Sequence, residues 1–152
     1  MSEYTKEELL KNFCHLHVHS HYSLLDGVGK IGDIVARAKE FGMKAIALTD
    51  HGTMYGIIEF YEKAKEAGIK PILGVEAYLA PRKMTDKTPK IDSDNRHLTL
   101  LARNLTGYKN LVKITSAGHL QGYYYKPRVD YDFLAEHSEG VICLSGCLNG
   151  PV

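Results

Sequence analysis

The sequence lacks several features that would place it in a simple class of protein. It has no run of about 18 consecutive apolar residues, so we expect no membrane span. Its first residues contain no apolar segment of the kind that directs secretion. Cysteine is scarce, with three in 152 residues, and this odd number is typical of reduced thiols. Together these features predict a cytoplasmic protein.

Net charge is also almost absent. The chain has 19 basic and 18 acidic residues, a balance of +1, which excludes strong nucleic-acid binding driven by charge alone. Hydrophobic residues make up 44% of the chain, and its length suits one domain with its own core. Histidine is the abundant exception: four of eight stand at His15, His17, His19 and His21.

Strand-like and helix-like segments alternate along the chain. Apolar residues recur at helical spacing over 31–41, which stops at Gly42, and over 54–67, which stops at Gly68. Short apolar runs predict buried strands, and a polar stretch with two prolines predicts a loop over 80–95. We predict strands over 12–19, 44–49, 71–79, 97–102 and 140–145, further helices over 107–116 and 131–137, and an irregular tyrosine-rich segment over 118–129.

This alternation predicts an α/β fold with parallel strands joined by right-handed crossovers. A closed barrel and an open sheet both fit the pattern. A barrel of strands and helices usually needs about 200 residues or more. Five predicted strands in 152 residues, with the last one close to residue 152, therefore suggest an incomplete barrel whose late strands are missing.

The histidines of the first predicted strand suit metal binding. Side chains two residues apart on a strand share one face, so His15, His17 and His19 would point the same way. Isolated histidines are usually surface or core residues, but three at alternate positions favour a ligand set.

Further ligand-type residues follow the other predicted strands. In parallel α/β folds, active-site residues gather at the carboxyl ends of strands. Side chains suited to a metal pocket near such positions are Asp50, His51, Glu76, His97 and Cys147. Each alone is weak evidence, since Asp50 has an alternative as a helix cap and His97 as a core residue.

Six segments in this order carry a family resemblance: HLHVHSHYSLLDG, LTDHGTMYG, GVEAYLAPR, RHLTLLARN, YYYKPRVD and LSGCLNG. They resemble the PHP (polymerase and histidinol phosphatase) domain, in the branch found at the N-terminus of the bacterial DNA polymerase III alpha subunit. The resemblance implies a distorted (βα) barrel of PHP type, with residues 1–152 forming its N-terminal part. It also implies two or three divalent metal ions, of zinc, manganese or iron.

The resemblance assigns roles to individual residues. The implied metal ligands are His17, His19, Asp26, His51, Glu76, His97 and Cys147, with Glu76 as a bridging carboxylate. Asp50 is implied to orient ligand imidazoles as part of the catalytic set. Arg128, with Lys126, is a candidate for contact with a phosphate, and a solvated loop is the equal alternative. His15 and His21 are not expected on the metal.

Two elements of the larger family are missing. The Asp-x-His motif of a late PHP strand has no match, and neither do the catalytic aspartates that hold Mg²⁺ in the polymerase domain. The implied activity is phosphoester hydrolysis, either 3′–5′ exonuclease proofreading or pyrophosphate hydrolysis. The implied partners are the remainder of the alpha subunit, DNA, a proofreading subunit and the sliding clamp. The alternatives are a standalone phosphatase resembling histidinol phosphatase and a non-catalytic module that docks a proofreading partner.

Overall fold

The structure is a computed structural model that describes residues 5, 12–24, 26–146 and 150–151. Strands and helices alternate along most of this part of the chain, as predicted. The elements are α1 (Ile31–Glu40), β1 (Ala45–Leu48), α2 (Ile57–Ala67), β2 (Lys70–Leu79), β3 (Arg96–Ala102), α3 (Leu105–Leu120), β4 (Arg128–Val129), α4 (Tyr131–Glu136) and β5 (Val141–Leu144). None of the described helices is long and apolar enough to cross a membrane.

The ends of the helices follow from local sequence. Gly68 takes the left-handed conformation, with φ of 77°, and so terminates α2 where the sequence predicted. Asn104 and Asp130 begin α3 and α4 by accepting hydrogen bonds from main-chain N–H groups three residues ahead, at 2.9 and 3.0 Å. These caps satisfy donors that a helix cannot satisfy internally.

The sheet is mixed rather than fully parallel. β1 runs parallel to the first half of β2, with Ala45 opposite Lys70, and β4 runs parallel to its end. β3 runs antiparallel to the second half of β2, and β5 antiparallel to β3. The α/β class is confirmed, but the expected parallel direction of β3 is wrong. The loop over 80–95 contains no crossover helix, so the chain turns back along β2.

This reversal matters for the position of the site. Because β3 is antiparallel, its first residues lie beside the carboxyl end of β2, with His97 opposite Tyr78. The strand order β1, β2, β3, β5 leaves the sheet unclosed within the described residues, in keeping with an incomplete barrel. We call the edge where β1 and β2 end and β3 begins the upper edge.

The segment 12–19 was predicted as a strand and is not one. Residues 13–19 run beside β1 without regular structure, and the carbonyl oxygens of His15 and Val18 accept hydrogen bonds from Ala47 N and Thr49 N, at 2.9 and 2.8 Å. Val18 N, however, donates to the Thr49 hydroxyl, at 2.9 Å, instead of to a main-chain carbonyl. That side-chain contact interrupts a regular ladder while still holding the segment against the sheet.

Two apolar clusters support the upper edge from below. The first joins α1 and α2 to β1 and includes Ile31 and Phe60, both fully buried. The second lies between α3 and the strands β2 and β3 and includes Val75 and Leu111, which are also fully buried. Burial of one such large side chain stabilises a fold by about 1.5–3 kcal/mol. The strand ends at the upper edge are therefore held in place by two packed apolar clusters.

Candidate metal centre

Asp50 organises the loop that follows His17 and His19. This carboxylate is 2% exposed and lies two residues beyond β1. It accepts hydrogen bonds from Ser20 N at 2.6 Å, from the Ser20 hydroxyl at 2.8 Å and from the Ser23 hydroxyl at 2.7 Å. Because these donors satisfy a buried charge, the segment 20–23 is tied to the end of β1.

Gly27 closes the same loop by close approach. A Cβ atom at this position would lie 1.9 Å from the carbonyl oxygen of Ser20, so only glycine fits. Its main-chain N–H donates to Ser23 O at 2.8 Å. The loop thereby folds back and brings Asp26 toward the upper edge.

Three ligand-type side chains converge at that edge. Nε2 of His17 and Nε2 of His19 lie 2.6 and 3.2 Å from Oε2 of Glu76, and the two nitrogens are 2.9 Å apart. All three ligand atoms lie within 4.8 Å of one another, a spacing that allows one cation to contact them together. We call His17, His19 and Glu76 the HHE cluster.

Two further side chains extend the HHE cluster through the second carboxylate oxygen. Nδ1 of His51 lies 2.9 Å from Oε1 of Glu76, and Nε2 of His51 lies 2.8 Å from Oδ2 of Asp26. The rings of His19 and His51 stack with centroids 4.0 Å apart. Glu76 thus offers one oxygen to each of two neighbouring groups of ligand-type atoms.

Ser23 sets the orientation of His19. Its hydroxyl lies 3.0 Å from His19 Nδ1, accepts from His51 N at 3.1 Å and donates to Asp50. Since its single proton is directed to the carboxylate, the hydroxyl accepts from Nδ1–H of His19. This arrangement keeps the Nδ1 proton on Ser23 and turns Nε2 toward the HHE cluster, so Nε2 is the nitrogen that a metal would contact in place of the proton it donates to Glu76.

The charge state of the HHE cluster also suits a cation. Burial raises the pKa of Glu76, but hydrogen bonds from His19 and His17 and the charge of His51 outweigh it and lower the pKa to about 2. Hydrogen bonding to Glu76 raises the pKa of His19. A hydrogen bond from His51 lowers the pKa of Asp26. Both carboxyl groups are therefore ionised at neutral pH.

The other sequence-predicted ligands stand differently. His97 lies at the start of β3, against Gly146, and its charge lowers the pKa of Glu76, but it is not one of the three converging side chains. Cys147 lies outside the described residues. His15 and His21 are not in the HHE cluster; His15 instead lines an apolar cavity beside α1.

The two residues expected to act in catalysis occupy supporting positions. Asp50 hydrogen-bonds Ser20 and Ser23, and the Ser23 hydroxyl connects it to His19, a position that suits the orientation of that imidazole. The assignment of Arg128 to a phosphate contact is corrected, because its side chain is fully buried. Its guanidinium donates to four main-chain carbonyl oxygens, those of Gly122, Asp92, Met84 and Asp86.

Sequence reasoning missed three residues around the site. Ser23 stands four residues after His19, and only that spacing within a turn hinted at a contact. Tyr78 stacks on His51 with centroids 6.4 Å apart. Burial, and to a smaller extent the negative charges of Glu76 and Asp26, raise the pKa of Tyr78 to about 12. His119, from the last turn of α3, lies 3.0 Å from the carbonyl oxygen of Gly52, next to His51. No motif surrounds His119 in the sequence.

Comparison with known proteins identifies the family of the chain. Residues 15–152 match the family described as the PHP domain. The chain belongs to the PHP domain family. The DNA polymerase III alpha subunit of Borreliella burgdorferi is 55% identical over 92% of the chain, and that of Aquifex aeolicus is 44% identical over 92%.

The relatives are much longer than this chain. The PHP chain spans 12% of the Borreliella subunit and 13% of the Aquifex subunit. Among solved structures, an amidohydrolase from Chromobacterium violaceum is 25% identical, with a TM-score of 0.48, and the match covers 68% of the chain and 34% of that protein. A TM-score this low supports no argument about function.

Proposed function

We propose that the chain is the N-terminal part of the PHP domain of a DNA polymerase III alpha subunit, and that its upper edge is a metal-dependent phosphoesterase site. The observation that supports the proposal most is the convergence of the HHE cluster, whose ligand atoms lie within 4.8 Å of one another. The identity to polymerase alpha subunits, over 92% of the chain, supports the larger assignment.

The donor set fits divalent cations of the zinc, manganese or iron type. Imidazole nitrogens and carboxylate oxygens suit these ions. Glu76 is ionised, and His19 presents Nε2 because Ser23 occupies its Nδ1. His17, His19 and Oε2 of Glu76 would hold one ion, and Nε2 of His51 with Asp26 would contribute to a neighbouring one, while Oε1 of Glu76 holds Nδ1 of His51. His97 and Cys147 remain proposed additional ligands.

The residues themselves prepare the site for a phosphoester. When bound, the cations would supply Lewis-acid activation of the phosphoryl group and of the attacking water. Glu76, with a side chain 5% exposed, fixes the ligand imidazoles from below, whereas Asp26 is 63% and His17 37% exposed. The centre is therefore open to solvent on the side where substrate must enter.

The proposed role in replication defines the wider setting. The reaction would be 3′–5′ exonuclease proofreading or hydrolysis of the pyrophosphate released by polymerisation. The partners would be the remainder of the alpha subunit, DNA, a proofreading subunit and the sliding clamp, with Mg²⁺ serving the polymerase domain. Because bacterial chromosomes are replicated in the cytoplasm, the protein would act there.

A paired histidine experiment tests the metal centre. The double variant His17→Ala/His19→Ala should lose its bound divalent ions by elemental analysis, and with them hydrolysis of bis(p-nitrophenyl) phosphate and of a 3′-labelled oligonucleotide. The matched control, His15→Ala/His21→Ala, also removes two imidazoles but none from the HHE cluster, and should keep both. Unchanged metal content in the first variant would overturn the proposal.

A further inference from the structure

A row of exposed aromatic rings lies beside the upper edge. Tyr55 and Tyr123 are 67% and 52% exposed, and each lies near His119. Their ring centroids lie 6.3 and 6.4 Å from that of the imidazole, with interplanar angles of 39° and 31°. We call Tyr55, His119 and Tyr123 the aromatic row.

The aromatic row is attached to the turn that follows His51. His119 Nε2 lies 3.0 Å from the carbonyl oxygen of Gly52, the residue that follows His51. Tyr55 belongs to the same turn, three residues further along the chain. A ligand that rests on these rings is therefore next to the site that would cleave it.

A groove runs along one side of the aromatic row. It has a volume of about 480 Å³ and is lined by the 53–55 turn and by α3, including Val112 and Leu120. This volume lies in the range of ordinary ligand sites. The hydroxyl of Thr53 is buried in its wall without a hydrogen-bond partner among the described residues.

A cation lies near the turn that carries His51. Lys126 Nζ lies 5.2 Å from the ring centroid of Tyr78, which stacks on His51. A Cβ atom at Gly52 would lie within 3.2 Å of both Pro127 and Tyr78, so these two residues pack against the turn that follows His51. Pro127 also lies against Gly118, next to His119, so Lys126 belongs to a segment that packs beside the aromatic row.

We propose that the aromatic row is a stacking platform for the bases of single-stranded DNA, with Lys126 facing the phosphate backbone. The platform rests on the proposed phosphoesterase function and names its substrate as a DNA strand rather than pyrophosphate. Aromatic faces accept any base, which suits an enzyme that removes nucleotides of every sequence. With a net charge of only +1, the chain needs stacking to supply affinity that phosphate contacts alone would not give.

The test measures DNA binding separately from hydrolysis. A fluorescein-labelled oligothymidylate is titrated with the purified protein in EDTA, so that the metals play no part. Tyr55→Ala and Tyr123→Ala should each weaken binding about tenfold, whereas Tyr55→Phe and Tyr123→Phe should bind within about twofold of the parent, because each keeps its ring. The matched control is Tyr61→Ala, since Tyr61 is 46% exposed but lines a different groove, beside Lys70. It should bind as the parent does.

A second measurement connects the aromatic row with the site. With Mn²⁺ added, the ratio of oligothymidylate hydrolysis to bis(p-nitrophenyl) phosphate hydrolysis should fall in the two alanine variants and stay constant in Tyr61→Ala. A blunt duplex of equal length should compete poorly, because its bases are not free to stack. Equal binding by the alanine variants and the parent, or equal binding of duplex and single strand, would overturn the platform. If the parent hydrolyses neither substrate, the proposed hydrolytic function fails, while the titration in EDTA still decides the stacking proposal.

Discussion

Ser23 Oγ lies 3.0 Å from Nδ1 of His19, and this contact determines which imidazole nitrogen faces the HHE cluster. The same hydroxyl donates to Asp50, a buried carboxylate at the end of β1. A carboxylate outside the HHE cluster thereby orients a side chain within it. Such outer contacts on metal-ligating histidines commonly change metal affinity when they are removed.

Replacing Ser23 by alanine should weaken metal binding without abolishing the fold. The His19 ring would lose its hydrogen-bond acceptor, and Nε2 would no longer be held toward the HHE cluster. We expect the affinity for Zn²⁺ to fall by about 10- to 100-fold, measured by competition with a chromophoric chelator. Ser138→Ala is the control, because its hydroxyl bonds only the carbonyl oxygen of Ala135 at the end of α4. Equal affinities in the two variants would contradict the role of Ser23.

Glu76 should make the stability of the metal-free protein depend on pH in two directions. Its pKa is lowered from 4.5 to about 2, so its contribution exists above pH 4.5 and is lost as pH falls toward 2. The pKa of His19 is raised above 6.5, so its contribution is complete below pH 6.5 and is lost as pH rises through that higher pKa. The pair should stabilise the fold most between pH 4.5 and 6.5.

Thermal unfolding in EDTA measures this dependence. The difference in Tm between the parent and Glu76→Gln should be largest between pH 4.5 and 6.5 and should shrink on both sides. Glu40→Gln serves as the control, since Glu40 forms an exposed ion pair with Arg37 and such pairs contribute little. If this difference in Tm instead rises steadily from pH 4 to pH 9, Glu76 and His19 do not stabilise each other as proposed.

Much of the fold was predictable because local sequence determines it. Helical spacing and a terminal glycine predicted α1 and α2 to within a few residues. The direction of β3 was not predictable from its own residues, since it depends on the path of the loop over 80–95. That path is held by the half-exposed salt bridge of Arg82 with Asp92 and by the buried guanidinium of Arg128, which bonds the carbonyl oxygens of Met84, Asp86 and Asp92 from 36 to 44 residues away. Such contacts leave no periodic pattern in the sequence.

The site was predictable to the extent that strand geometry governs it. Alternation placed His17 and His19 on one side, and the ends of β1 and β2 brought His51 and Glu76 beside them. Arg128 was misassigned because a basic residue in a tyrosine-rich segment reads the same whether it meets solvent or interior carbonyls. His119 was missed because its contact with Gly52 spans 67 positions.

Arg128 should prove essential for stability rather than for phosphate binding. Arg128→Met would leave four interior carbonyl oxygens without a donor, and each unpaired group costs about 1–3 kcal/mol. We expect the free energy of unfolding in urea to fall by at least about 3 kcal/mol. Lys126→Met, at an exposed neighbour, should change it by less than about 0.5 kcal/mol. If Arg128→Met keeps full stability but loses hydrolysis, Arg128 contacts the substrate phosphate after all.

Two glycines with similar backbone angles separate conformational strain from close packing. Gly52 and Gly68 have φ of 61° and 77°, both in the left-handed region. A Cβ atom at Gly68 would meet nothing within 4 Å, whereas one at Gly52 would lie 2.6 Å from Pro127 Cγ and 3.2 Å from the ring of Tyr78. Gly68→Ala therefore carries only the left-handed penalty, about 1–2 kcal/mol. Gly52→Ala adds overpacking of about 1–3 kcal/mol.

The two alanine variants should also differ in metal binding. Relief of the clash at Gly52 requires the turn to move away from Tyr78, and His51 moves with it, so Gly52→Ala should weaken Zn²⁺ binding as well as stability. Gly68 terminates α2, and a Cβ atom there would meet nothing within 4 Å, so Gly68→Ala should leave Zn²⁺ affinity unchanged. Urea unfolding and chelator competition on both proteins provide the comparison. Equal losses of stability, with metal affinity intact in both, would mean that Gly52 is needed only for its backbone angle and that His51 is not held by this contact.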